Sequence, residues 1–396
     1  MEKPCGRGRA IIVALNFFEQ GVVPMRIVTV LTSLGVGGAE KQALAVAERM
    51  AGRGHAVAII VLRPHLPEEW PTTLPVVHLD IRKNPASVAA GFRRGRHFLR
   101  EFRPDVVHSH SFHANILARL MAIGTPRAAV VSTVHNVYEG GWMRMMAYRL
   151  TDELSQRTVA VSEVARERFV RAKAVSPSRC LVVRIGIDVE EFAPDAARRA
   201  RMRTELHAAE GAPTEFVWLA AGRVAPAKDY PNLLRAFREL EKRQSGAQLW
   251  IAGGGTAAEF ADLESHRHAL GIRGRVLWLG LRRDLPALLD AADGFVLASA
   301  WEGMPQVIAE AMAMEKPVVA TDVGGVRELV GDAGTLVPAK DPQALAETMQ
   351  ATMRRSGEER TQLGRAARER ILSQFSIDAA ADWWEGLYKQ GMGSSP

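Results

Sequence analysis

The chain has 396 residues, 47% of them hydrophobic and 24% charged. At roughly 100–200 residues per domain this predicts two or three domains, and the balance excludes a disordered tail, a collagen-like fibre and a coiled-coil rod. Lys and Arg number 51 against 44 Asp and Glu, a net charge of +7, which suits nucleic acid, an anionic membrane surface or a phosphorylated substrate without choosing among them.

Residues 1–24 read as a loose extension ahead of Met25. Ala10–Leu15 with Phe17 and Phe18, behind Arg7 and Arg9, has the outline of a signal peptide. It lacks a small-residue cleavage site and runs into Glu19 and Gln20. No apolar run reaches the roughly 18 residues that a bilayer span needs. Cys5 and Cys180 are too few for a disulfide framework, and neither sits in a CxxC, which points to a reducing compartment.

From Arg26 onward, short β-branched runs alternate with helical patterns. Strands are expected at Arg26–Leu31, Val57–Leu62, Val76–Leu79, Val106–Ser109, Ala129–Thr133, Thr158–Val161 and Leu181–Ile185, with a helix over Ala39–Arg53. The alternation predicts βαβ units around a parallel sheet. Between Val189 and Pro213 it breaks in a polar segment containing Glu190, Glu191, Pro194, Asp195, the run Arg198–Arg203 and Gly211–Pro213. That break predicts a domain boundary near residue 196. A second series starts at Phe216–Ala220 and continues through Gln248–Ala252, Val276–Leu279, Phe295–Ala298, Pro317–Thr321 and Thr335–Val337. Pro342 to Lys389 reads as helical, with Trp383, Trp384, Leu387 and Tyr388 giving a face that must be buried. Two doubly wound α/β domains would face each other across a cleft. Open parallel sheets bind ligands beyond the carboxyl ends of their strands, so one cleft would hold two ligands.

Four motifs fall at such strand ends. Gly35-Val36-Gly37-Gly38-Ala39-Glu40 follows the first strand and opens a helix, where glycines let backbone N–H groups approach a phosphate or sugar. It departs from GxGxxG, and no acidic residue ends the next strand to hold an NAD ribose. Ala221-Gly222-Arg223-Val224, with Lys228 close behind, offers two cations able to grip a diphosphate. Ser299-Ala300-Trp301-Glu302-Gly303-Met304-Pro305 leads to Glu310, pairing two carboxylates suited to sugar hydroxyls, with Gly303 expected at a helix N-terminus. His135 stands just beyond the strand Ala129–Thr133. Gly253–Gly255, including Gly254, and Gly280-Leu281 also end strands and could line a nucleotide pocket or merely turn the chain. His108, His110 and His113 suggest a metal cluster, but no Cys or carboxylate completes it. No Asp-x-Asp occurs, so a carboxylate pair holding a metal against a diphosphate is not expected. GxSxG and the Walker A lysine motif are missing too.

In combination these residues resemble the retaining GT-B glycosyltransferases of family 4. The resemblance spans about Met25 to Tyr388. It rests on Gly-Gly-Ala-Glu at Gly37–Glu40, His135, Gly222-Arg223 with Lys228, and Glu-x₇-Glu from Glu302 to Glu310. It implies an N-terminal acceptor-binding domain (25–196) and a C-terminal nucleotide-sugar-binding domain (197–375). The C-terminal helix (376–396) would cross back onto the first domain. Arg223 and Lys228 would hold the donor diphosphate, and Glu310 the ribose. Glu302 with the N–H groups of Gly303 and Met304 would orient the sugar. His135 would sit near the anomeric carbon, and Gly37 and Gly38 near the donor phosphate and acceptor. The implied reaction uses no metal and no cofactor beyond a nucleoside-diphosphate sugar, UDP favoured over GDP or ADP. The implied acceptor is a glycan or lipid-linked molecule in surface polysaccharide or lipopolysaccharide synthesis.

Arg82, Lys83, Arg93, Arg94, Arg96, Arg100 and Arg103 surround a segment whose Val88, Phe92, Leu99 and Phe102 would share one helical side. With the expected loop Trp142–Met146, this reads either as a face for the anionic cytoplasmic leaflet or as a solvated basic face on a normally packed helix. The expected location is the cytoplasm, with peripheral contact on the membrane. A sugar-nucleotide epimerase, a phosphorylase and a catalytically silent GT-B subunit remain the alternatives. Nucleic-acid binding has no aromatic-interleaved basic motif behind it.

Overall fold

The computed structural model describes residues 24–35, 37–125, 128–210, 216–243 and 246–392. Cys5, the Ala10–Leu15 run and the rest of the first 23 residues lie outside it, as do Val36 and Gly211–Pro213.

The N-terminal half runs β1 (Arg26–Leu31), α1 (Gly38–Gly52), β2 (Ala56–Val61), β3 (Val76–His78), α2 (Pro85–Phe102), β4 (Val106–His110), α3 (Phe112–Met121), β5 (Ala129–Val134), α4 (Trp142–Thr151), β6 (Arg157–Ala160), α5 (Glu163–Arg171) and β7 (Cys180–Val182). The C-terminal half runs α6 (Ala196–Glu210), β8 (Phe216–Ala221), α7 (Tyr230–Arg243), β9 (Ala247–Ala252), α8 (Ala257–Ala269), β10 (Val276–Gly280), α9 (Leu285–Ala291), β11 (Gly294–Leu297), α10 (Gln306–Ala313), β12 (Val318–Thr321), α11 (Val326–Val330), β13 (Thr335–Val337), α12 (Pro342–Arg354), α13 (Gly357–Gln374) and α14 (Ile377–Met392).

The central strands β4, β5, β8, β9, β11 and β12 are buried along their whole length, which is why they read as largely apolar or β-branched runs; the exceptions, His108, Ser109, His110, Ser132 and Gln248, are polar side chains inside the sheets. They form two parallel sheets, ordered β3-β2-β1-β4-β5-β6-β7 and β10-β9-β8-β11-β12-β13. In each, strand order reverses once, between β1 and β4 and between β8 and β11. Those reversals open a crevice at the carboxyl ends of the strands. The expected fold class, two doubly wound parallel-sheet domains of the GT-B kind, is the observed one.

The chain crosses between the sheets twice, and the crossings are bonded together. Ile187 donates to the Phe375 carbonyl (2.7 Å), and Ile377 donates back to Ile187 (2.9 Å). α14 then lies on α1, burying Ala381, Trp384, Leu387 and Tyr388 with Met25, Ile27, Val46 and Met50. Arg53 holds Asp382 (2.7 Å) and Glu385 (2.8 Å) along the same seam.

Three expectations change. The polar segment after Val189 carries helix α6, whose Arg199 and Arg203 each donate to Asp293 at 2.6 Å. Its ordering partners lie about 90 residues downstream, beyond the reach of local pattern. Trp142–Met146 is the first half of helix α4 rather than a loop. The apolar side of α2 is not free: Leu99 is fully buried, and Phe92, Phe98 and Phe102 pack against the sheet.

Trp384→Ala should remove the largest aromatic anchor of α14 and lower the unfolding free energy by roughly 3–5 kcal/mol. Urea denaturation checks this, and a loss below about 1 kcal/mol would show that α14 adds little to the N-terminal core.

Candidate active site

The four motifs meet at the two crevices. In the first, Gly37 caps α1 without a side chain, and a Cβ there would lie 2.4 Å from the Glu40 carboxylate folded over it. Burial raises the Glu40 pKa, against the pull of Arg223 and Arg63 and a hydrogen bond from Ser33. A Cβ on Gly38 would stand 3.4 Å from Oε1 of Gln306, which belongs to the opposite domain. One turn on, Lys41 Nζ donates to Glu310 Oε1 at 2.9 Å and sits 3.5 Å from Glu191. Burial pulls the Lys41 pKa down, but Glu310 and Glu191 outweigh it and leave it raised.

In the second crevice, Gly222 adopts φ +147°, and a Cβ would lie 2.7 Å from Lys228 Cε, so the turn requires glycine. Lys228 Nζ and Ser299 Oγ both donate to Glu302 Oε1 at 2.7 Å. Arg223 is exposed and makes no hydrogen bond or ion pair within the described residues. Gly254 and Leu281 are neighbours: a Cβ on Gly254 would sit 3.5 Å from Leu281 Cδ1. Helix α10 starts at Gln306, so Gly303 and the buried Met304 lie in the loop before it, a correction to the expected helix N-terminus at Gly303.

The two crevices touch. A Cβ on Gly303 would lie 2.0 Å from the His135 carbonyl oxygen and 2.9 Å from Asn136 Cα. Beside this contact, Glu328 of α11 accepts the Glu163 and Val164 N–H groups (3.0 and 3.2 Å) and caps α5 from across the cleft. His135 Nε2 lies 2.9 Å from His110 Nδ1, and its backbone N–H donates to Glu139 Oε1 at 3.2 Å. Burial holds the His135 pKa down to about 4, and that of His110 well below its ordinary value, so both rings are neutral near pH 7. His108 is bonded to Tyr388 (2.6 Å) and Thr133 (2.7 Å), and its ring centroid is 4.1 Å from that of His110. The histidines thus link α14 to His135 and form no metal cluster with His113. Glu139 accepts from Tyr148 at 2.6 Å, and burial pushes its pKa up to about 7.

Where the two domains meet, the arrangement offers an unengaged guanidinium, a lysine, two buried carboxylates and a neutral imidazole. Such a set can bind a phosphorylated, hydroxyl-rich ligand. Among the described residues, the metal-ligating atoms of three side chains converge at His65 and Glu69, on the β2–β3 connection, and His78, at the end of β3. Lys41, Gln306, Glu139 and Glu328 are not singled out by sequence, and His110 is read there only as part of a metal cluster. Lys41 adjoins Glu40, Gln306 follows Pro305 and Glu139 lies four residues after His135, so proximity to a motif is their only signal; Glu328 has none.

A family model described as glycosyl transferases group 1 matches residues 215–355, and one described as Glycosyltransferase Family 4 matches residues 36–191. Among curated relatives, an Escherichia coli UDP-Gal:alpha-D-GlcNAc-diphosphoundecaprenol alpha-1,3-galactosyltransferase is 26% identical over 73% of this chain and 76% of its own. A Streptomyces kanamyceticus alpha-D-kanosaminyltransferase is 28% identical over 75% of this chain and 80% of its own. Among solved structures, Anabaena HepE in complex with UDP-glucose superposes with a TM-score of 0.81 at 20% identity, covering 92% of this chain and all of that one. With one model matched on each sheet domain and the GT-B architecture common to both halves, the chain belongs to the family 4, group 1 glycosyltransferases.

Proposed function

We propose that this glycosyltransferase moves a sugar, with retention, from a UDP-sugar to a glycan or lipid-linked acceptor in surface polysaccharide or lipopolysaccharide synthesis. The observation that carries the reading is the pair of buried carboxylates, Glu302 held by Lys228 and Glu310 by Lys41, with the loop after Glu302 seated on the His135 carbonyl. The C-terminal domain (197–375) takes the donor and the N-terminal domain (25–196) the acceptor. Arg223 and Lys228 hold the diphosphate and stabilise the charge that gathers on it as the sugar–phosphate bond breaks. They fill the role a metal ion would otherwise take. Glu310 receives the ribose hydroxyls, exchanging the Lys41 ammonium for them. Glu302 and the N–H groups of Gly303 and Met304 orient the sugar, while Gly37 and Gly38 leave room for phosphate and acceptor. Gly254 and Leu281 line the nucleotide end. His135, kept neutral, hydrogen-bonds a sugar hydroxyl without setting a positive charge beside the oxocarbenium-like centre. The names of the relatives and of the UDP-glucose complex support the donor class.

The acceptor reading rests on the outer face of the N-terminal domain. No helix among the described residues is long and apolar enough to cross a membrane. On α4, Trp142, Met143 and Leu150 are 75%, 70% and 76% exposed. An open groove of about 710 Å³ between α2 and α3 is lined by Val88, Phe92, Leu117 and Leu120 together with Arg82, Lys83 and Arg93. α3 packs against both α2 and α4, so the apolar side chains and the cations share one side of the sheet. This supports peripheral attachment to an anionic cytoplasmic leaflet, with α4 rather than α2 supplying the apolar contact.

Glu310→Ala and Lys228→Ala should each reduce turnover of a UDP-sugar by about 100-fold or more in protein that still unfolds cooperatively; near-normal rates in either variant would refute the assignment. Gly303→Ala places a methyl on the His135 carbonyl and should produce a comparable loss. Sedimentation should carry the protein down with anionic vesicles and not with neutral ones, and Trp142→Ala/Met143→Ala should weaken that binding; equal, negligible binding to both vesicles would end the membrane reading. Glu139 holds its proton in the folded state from its unfolded value near 4.5 up to about 7, so wild-type stability should fall as pH rises through that window. Relative to Glu139→Gln the drop should be on the order of 3 kcal/mol, read from urea midpoints; parallel pH profiles would contradict it.

A further inference from the structure

Outside the donor crevice, the segment joining β2 to β3 brings together two imidazoles and a carboxylate that the transferase reading does not use. His78 is the last residue of edge strand β3, paired in register with Val61. His65 and Glu69 lie on the connection from β2. Glu69 is only 6% exposed at its side chain, and its Oε1 accepts the Leu66 N–H at 3.1 Å. Its Oε2 faces both rings, 2.8 Å from His65 Nδ1 and 3.6 Å from His78 Nε2. The rings meet edge to face with centroids 5.5 Å apart, and the three ligand atoms lie within 4.8 Å of one another.

The hydrogen bonding fixes what His78 presents. Its Nδ1 is 3.1 Å from the Arg63 carbonyl oxygen, which can only accept, so Nδ1 carries a proton. Nε2 then faces the Glu69 carboxylate across 3.6 Å, too long for a hydrogen bond and open to a bridging cation. A carbonyl behind a ligating imidazole is also the usual outer partner of a metal-bound histidine, holding its tautomer and orientation. His65 Nδ1 donates to the Glu69 carboxylate at 2.8 Å; an ion would displace that proton and leave the remaining one on Nε2 of this exposed ring.

We propose that His65 Nδ1, Glu69 Oε2 and His78 Nε2 bind a divalent transition-metal ion of the zinc class. Ligands about 2.0–2.1 Å from a tetrahedral ion stand about 3.3 Å apart, and the observed 2.8 and 3.6 Å fall on either side of that spacing. Two imidazoles and one carboxylate select zinc, cobalt, nickel or copper over magnesium or calcium, which take oxygen ligands. Three protein ligands leave a fourth position to water. The ion pins the connection to the end of β3. The same connection reaches the rest of the cleft: the Glu69 carbonyl accepts Arg283 of the C-terminal domain (3.2 Å), and Trp70 donates to the Leu34 carbonyl (2.9 Å). The ion therefore braces the N-terminal rim and takes no part in sugar transfer.

The test uses tag-free, metal-stripped full-length protein titrated at pH 7.5 with Co²⁺ and then Zn²⁺, each without nucleotide. One equivalent of cobalt should bind with the intense visible bands of a four- or five-coordinate ion, and zinc should displace it. His65→Ala, on an exposed side chain that leaves the core intact, and Glu69→Gln should each weaken binding at least 10-fold. Zinc should raise the thermal midpoint of the wild type and not of His65→Ala. His97→Ala, at an exposed His–Glu pair on α2, should change nothing. Equal affinities for wild type and His65→Ala, or only the pale spectrum of hydrated cobalt, would overturn the site and reduce the cluster to hydrogen bonds around Glu69.

Discussion

The site depends on one backbone contact: Gly303 seated against the carbonyl of His135. Two parallel sheets each open a crevice where their strand order reverses, and a crevice alone binds one ligand. Where the loop after β11 meets the loop after β5 the two crevices adjoin, as the single reaction centre of the proposed function requires. Any side chain at 303 would hold the surfaces apart, because a Cβ already falls 2.0 Å from the oxygen. Gly325 repeats the device beside it, where a Cβ would lie 2.8 Å from that of Ser162. Glu328 then fastens the domains by capping α5 from the other side.

The charges around that contact are arranged so that none is buried alone. Glu310 is 3% exposed and would be costly without a partner; Lys41 supplies one from the opposite domain. Glu302 is held by Lys228 and Ser299. In the function proposed above, donor binding would be an exchange: hydroxyls would replace the Lys41 ammonium at Glu310, and phosphate would draw Lys228 from Glu302, while Arg223 would have no partner to leave. The neutral histidines complete this balance, since a charged imidazole packed against His110 and His108 would be as poorly solvated as an unpaired carboxylate.

Much of this was legible in the chain because it is local. The β-branched runs mark buried parallel strands, and the glycine-containing motifs lie directly after β1, β8 and β11, where ligand crevices must form. What escaped depends on partners far away in sequence. Helix α6 looks like a polar break until Asp293 is set against its arginines. The basic helix α2 looks amphipathic toward a membrane until Leu99 and Phe102 are seen packed into the core of the N-terminal domain. Lys41 pairs with a carboxylate 269 residues on, and no periodicity announces that. His108, His110 and His113 carry a metal-like spacing but are spent on Tyr388, Thr133 and His135, whereas the convergent metal-ligand set spans Glu69 and two histidines with no recognisable repeat.

The account is tested most directly by a crystal structure of the protein with UDP. The ribose hydroxyls should lie within hydrogen-bond distance of Glu310, with Lys41 moved off that carboxylate and the diphosphate against Arg223 and Lys228. UDP bound elsewhere, or an unfilled crevice beside Glu310 with the Lys41 pair intact, would contradict it.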